Sequence, residues 1–255
     1  MVKAYRHIQQ WNSWLGQPQG GYLVEAERQL LPSLLAEYYG KYIALIGVPE
    51  QQSLLTTSNM MYPFLISPMV IQVRSGARSE SAYYIESEFY ELSIHSSSID
   101  LVILPHTLEY VDNPRRILAE ACRIVKPEGH IVIFGFNPYS LWGLKKLLLQ
   151  NKYAPWSSNF IQATTVKQWL KLADFELVKQ TTMVFRPPIQ HDGIYQKLKF
   201  LEGIGKRCYA PFGGVYAIVA TAKNIPFTPI RMHWKQKLSL QKSTIPRPTT
   251  IRNSS

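Results

Sequence analysis

Apolar positions recur along this chain at two periods, and the clearest run joins both. Ile99 to Leu104 is apolar except for Asp100, the length of a strand covered on both faces. Pro105 ends it, because proline lacks a ladder donor and biases its neighbour away from regular structure. Asp112 or Asn113 can cap the next element, with Pro114 in its first turn, where a missing N–H costs nothing. Ile117, Leu118, Ala121, Ile124 and Val125 then recur at helical spacing, with Arg115, Arg116, Glu120 and Arg123 toward water. Lys126-Pro127-Glu128-Gly129 stops that helix, and His130 to Gly135 reads as a second buried strand. Two such strands joined by one helix predict a right-handed crossover, the unit of a parallel α/β sheet.

The flanking pattern predicts more of the same. Residues 1–20 are polar and aromatic, with a turn at Gln17 to Gly21. Leu23, Ala26, Leu30, Leu34 and Leu35 predict a helix over 22–39, with Glu25, Glu27 and Arg28 on its polar face and Pro32 as a kink or restart. Gly40 ends that helix, and Tyr42 to Ile46 is the first buried strand. Met69 to Val73 and Tyr83 to Ile85 are short strand candidates, Phe175 to Phe185 and Val215 to Ala222 later ones. Helices are expected at 141–149, from Thr164 or Thr165 through Leu172, and over 191–209 with Leu198 and Leu201 inward. The Trp142, Leu144, Leu147 and Leu148 set, with Lys145 and Lys146, reads either as a membrane-surface helix or as a helix covering one sheet face; the second is the expectation. The order suits an α/β fold whose sheet is mostly parallel, with an antiparallel edge strand.

Composition locates the charge rather than changing the class. The 255 residues carry a net charge of +11, and residues 224–255 hold six basic side chains and no acid. The division expected is an N-terminal helical segment (1–40), a domain over 41–223 with an insertion or lid at 186–214, and a basic, disordered tail over 224–255. The tail reads as a solubilising segment or as a loose contact with nucleic acid or anionic lipid. Cys122 and Cys208 are isolated, without metal-site spacing, and suit a reducing cytoplasm. No apolar run approaches the about 18 residues of a membrane span.

Ser98 to Val102, His106 to Val111, Asp112-Asn113-Pro114 and the helix ending Arg123 to Gly129 together resemble the class I S-adenosylmethionine-dependent methyltransferases. The similarity is to their type 11, quinone-biosynthesis-like branch, and Gly135 to Leu144 is similar to a proteobacterial subgroup of it. The resemblance implies a Rossmann-like class I methyltransferase sheet, S-adenosylmethionine as cofactor and a methyl acceptor, small molecules being the first class to consider. It also implies where the cofactor contacts fall: Gly47 at the first glycine of the cofactor turn, Glu88 near the adenine amino group, Phe89 packing on the base, and Pro105 with His106 at the cofactor's edge. The chain departs from the family at the first motif, where Leu45 replaces the acid, Pro49 the second glycine and Gln51 the third. No acid for the ribose hydroxyls follows Val73.

Each candidate has a plainer alternative. Gly47 can be an ordinary strand-end glycine and Glu88 a solvated carboxylate. His106 is the candidate general base, or it only lines the cofactor edge or bonds a loop carbonyl. The functions expected are a methyltransferase or a catalytically silent methyltransferase fold used for binding, with a peripheral membrane enzyme on a quinone-like lipid as a third reading.

Overall fold

The computed structural model describes residues 2–58, 60–69, 82–149, 153–187 and 213–223. Among them, seven strands form one sheet: β1 (Tyr42–Ile46), β2 (Tyr62–Ser67), β3 (Tyr83–Glu86), β4 (Ile99–Pro105), β5 (Val125–Phe136), β6 (Phe175–Met183) and β7 (Val215–Ala222), in the order β3-β2-β1-β4-β5-β7-β6. β1 to β5 pair in parallel, and β7 runs antiparallel to both β5 and the edge strand β6. The expected α/β class and antiparallel edge are therefore present. The expected helix at 191–209 and the tail 224–255 lie outside the described residues.

The predicted crossover is realised nearly as read. α4 (Pro114–Ile124; α3 is the short Thr107–Tyr110) starts at Asn113, whose side chain accepts the Arg116 N–H at 3.1 Å, and it buries Ile117, Leu118, Ala121 and Ile124. β5 begins at Val125, directly after the helix, rather than at His130. The expected stop survives as an excursion, with Ile99 opposite Val125 but Leu101 opposite His130, and Glu128 at φ 63°. Asp100, the one acid in β4, accepts the Lys41 and Tyr42 N–H groups at 3.1 and 2.9 Å and the Lys126 ammonium at 2.8 Å. Burial alone would raise the Asp100 carboxyl, but Lys126 and the two N–H donors outweigh it and hold the group below its usual range.

Two parts of the N-terminal half differ from the pattern reading. Residues 2–15 form a full helix, α1 (Val2–Leu15), with Ile8, Trp11 and Leu15 buried on one stripe. α2 (Pro18–Leu35) starts inside the predicted turn and continues through Pro32. Gly20 permits this, since a Cβ there would lie 2.4 Å from both Leu15 Cα and Trp14 O, so the two helices touch backbone to backbone. The second strand is Tyr62–Ser67, not 69–73, of which 70–73 lie outside the described residues. Pro63 argues against a strand there, yet it precedes Phe64, where pairing with β3 begins, so at Pro63 the strand has a neighbour only on the β1 side, as at an edge. The remaining helices, α5 (Leu141–Leu149) and α6 (Ala163–Leu172), fall where expected.

Candidate functional site

In a sheet of this order the chain leaves β1 toward β2 on one side, while β4 lies on the other. A crevice therefore opens at the carboxyl ends of β1 and β4, where open α/β sheets take their ligands. Here that crevice is stitched across by side chains. Gln51, in the 3₁₀ helix Pro49–Thr57 that follows β1, accepts the Val48 N–H at 3.2 Å and donates to the Pro105 carbonyl at 2.8 Å. Thr107 donates to the Ile46 carbonyl. A Cβ on Gly47 would stand 2.6 Å from Gln51 Oε1, so the glycine accommodates this side chain. Asn12 of α1 reaches the same loop, accepting the Glu50 N–H at 3.2 Å.

One residue beyond β4, the chain turns at His106, which has φ 57° and is fully buried. Its Nδ1 lies 2.8 Å from Glu109 Oε2 and its Nε2 lies 2.7 Å from Glu27 Oε1, both carboxylates being buried too. Only an imidazolium donates from both ring nitrogens to two ionised carboxylates. Burial by itself would lower the His106 pKa, and the charges of Glu27 and then Glu109 reverse that and raise it to about 9. Burial also pushes the Glu109 carboxyl up, and the imidazolium pulls it part of the way back. Glu109 Oε1 accepts the Phe136 N–H at 2.6 Å, tying the cluster to the end of β5. The Trp11 ring stacks on the imidazole at 5.7 Å between centroids, and Phe136 lies at 4.4 Å on a tilted plane. Among the described residues, Glu27 Oε2 has no partner.

The structure brings three of the five expected contact residues together. Gly47, Pro105 and His106 form the two lips of the crevice, with Pro105 Cγ 3.5 Å from where a Gly47 Cβ would be. Phe89 is buried and its ring stands 6.2 Å from that of Tyr110 in α3. Glu88 is exposed in the loop after β3. Both ring nitrogens of His106, the candidate general base, lie within hydrogen-bond distance of buried carboxylates, the setting of a structural contact. The expectation for Glu27 is corrected, because it is buried and not on the polar face of α2. The signal was present: Leu23, Glu27 and Leu31 are four apart, one stripe of a helix, and all three are buried. Glu109, Trp11 and Thr107 carried no local signal.

Residues 57–133 match the family model described as a methyltransferase domain. Over 146 residues the chain is 32% identical to the uncharacterized protein YafS of Escherichia coli (strain K12), a match covering 56% of this chain and 57% of the relative. The chain thus spans less than two thirds of that relative's length. A structure from Thermotoga maritima, a methyltransferase described as a possible histamine N-methyltransferase, superposes with a TM-score of 0.65 at 19% identity, covering 85% of this chain and 100% of that one. The N-methyltransferase NodS of Bradyrhizobium japonicum, in complex with S-adenosyl-L-homocysteine, superposes at 0.58 and 14% identity, covering 86% and 99%. The fold is the Rossmann-like class I methyltransferase fold.

The group such a fold implies is S-adenosylmethionine, and the residues meet it unequally. Glu88 and Phe89, which the resemblance implies for the nucleoside end, lie just past the carboxyl end of β3, Glu88 exposed and Phe89 buried, and β2 ends in Ser67 with no acid at its last position. At Gly47, which the resemblance implies for the methionine end, the Gln51 side chain lies over the glycine and would have to turn away for the group to enter.

Proposed function

We propose that the chain is an S-adenosylmethionine-dependent methyltransferase for a small-molecule acceptor, with its crevice latched by Gln51 until the cofactor enters. The observation that carries this reading is the placement of the methyltransferase-domain match. Residues 57–133 include β2, β3, β4 and α4, whose strand ends form the crevice with β1. When bound, the cofactor supplies an electrophilic methyl group on a sulfonium. The chain's part is positioning and exclusion of water: Trp11 and Phe136 wall off the β4 end, and the His106 cluster holds that wall in register with α2. Transfer from a sulfonium is served by in-line alignment, so no free base is required of His106.

The latch has a definite cost. Opening it breaks two hydrogen bonds made by Gln51, worth about 1 kcal/mol each net, or about 2 kcal/mol together. A binding-competent fraction reduced by that amount weakens apparent affinity roughly 30-fold. Calorimetric titration with S-adenosylhomocysteine should therefore give a micromolar or weaker dissociation constant, and Glu88→Ala should weaken it further. The second reading, a methyltransferase fold that binds without transferring, is favoured by the same Gln51 and Thr107 stitches, with the basic tail as a contact for nucleic acid. Absence of binding heat at millimolar ligand, in the natural chain and in Gln51→Gly alike, would decide for that second reading.

A further inference from the structure

The sequence pattern predicts that α5 covers one sheet face, and only part of it does. Trp142 is buried against Phe136, its ring stacked at 5.0 Å, and its Nε1 donates to the Arg186 carbonyl at 3.0 Å. Gly143 packs so closely on the Pro138 backbone that a Cβ would collide with the carbonyl. The other side of the helix carries four leucines facing outward: Leu141 and Leu144 are each 51% exposed, Leu147 75% and Leu148 73%. At 100° per residue these positions fall within about a third of the helix circumference, a continuous stripe. Tyr139 and Tyr153, also exposed, stand at the two ends of the segment. Lys145 sets its ammonium 4.9 Å over the Trp156 ring beside the stripe, while Lys146, one turn on from the buried Trp142, donates to the Ser158 carbonyl and lies 4.5 Å over the Phe160 ring.

We propose that this face is a docking surface for an anionic lipid bilayer. An apolar stripe with Lys145 beside it and tyrosines at its ends is the pattern of a helix lying in the headgroup layer. Charge selects the occupant. From 139 to 153 the sequence has three lysines and no acid, within a chain of net charge +11. A second copy would set those lysines against each other, and a nine-residue helix offers far less than the about 1,200 Å² that a stable dimer buries. An anionic surface supplies the missing countercharge and takes up the leucines together. The surface stands independently of methyl transfer, because none of its leucines contributes to the crevice.

The test is co-sedimentation of the full chain with vesicles of phosphatidylcholine alone and with about one third phosphatidylglycerol. Leu147→Ser/Leu148→Ser and Leu141→Ser/Leu144→Ser are compared with the natural sequence, each confirmed folded by an unchanged melting temperature. The natural chain should bind the anionic vesicles, less so as salt rises, and each double variant should bind about tenfold or more weakly. The basic tail is intact in every variant, so equal binding by all three would assign the affinity to the tail and overturn the proposal. So would failure of the natural chain to bind, or a concentration-dependent dimer that the leucine variants dissolve.

Discussion

Titration of His106 offers the most direct check on the buried cluster. In the unfolded chain its imidazole has the ordinary value of 6.5, and in the folded protein the two carboxylates raise it to about 9. A raised value means the folded state holds the proton more tightly, so the stabilisation is complete below pH 6.5 and is lost as pH climbs through 9. The full effect is about 3 kcal/mol, at about 1.36 kcal/mol for each pH unit separating the folded from the unfolded value, and about 2 kcal/mol of it disappears between about pH 6 and 8.5. At a urea slope of about 2 kcal/mol per molar, the unfolding midpoint should fall by roughly 1 M across that interval. His130 works weakly against this trend, since burial lowers it below the 6.5 at which it titrates when unfolded, while burial pushes the Cys122 thiol up to about 12, beyond the interval. Glu27→Gln removes one of the two charges and should flatten the profile. Nitrogen NMR at about pH 7.5 should find both His106 ring nitrogens protonated. A midpoint independent of pH over that interval, or one that rises, would refute the charged cluster; so would an undiminished slope in Glu27→Gln.

Gln51→Gly should tighten S-adenosylhomocysteine binding about tenfold or more by calorimetry, since the latch no longer competes; unchanged or weaker binding would show that Gln51 does not gate the crevice. Asp100→Ala strands the Lys41 and Tyr42 N–H groups and Lys126, and should cost about 2 kcal/mol in urea unfolding. Because the Asp100 carboxyl is held low, its contribution is present above the usual carboxylate value and lost on acidification, so the difference between variant and natural chain should shrink at low pH. Gly20→Ala would gain about 1 kcal/mol if only helix propensity counted. With a Cβ 2.4 Å from the α1 backbone it should instead destabilise by about 1–3 kcal/mol, and a rise in melting temperature would contradict the close helix contact.

The β4–α4–β5 crossover and the strands β1 and β7 that flank it in the sheet could be read along the chain because their signals are local. A cap at Asn113, a proline at position one and an apolar run of strand length each act within a few residues. From these the α/β class followed, and family resemblance added where a crevice would lie. The latch and the charge cluster were not legible in the same way. Gln51 appears along the sequence as a lost glycine, and only the 54-residue jump to the Pro105 carbonyl shows what replaced it. Glu27 and His106 are 79 residues apart, and nothing in either neighbourhood announces the other. The outward leucines of α5 posed a similar problem, because a helix with one tryptophan inward and four leucines outward has the composition of one buried on a sheet. Periodicity reports how a segment divides its own faces, through backbone geometry shared by all sequences. Which face meets solvent, and which distant group neutralises a buried charge, depends on where the sheet sets the other elements, and that is decided only when the chain has closed on itself.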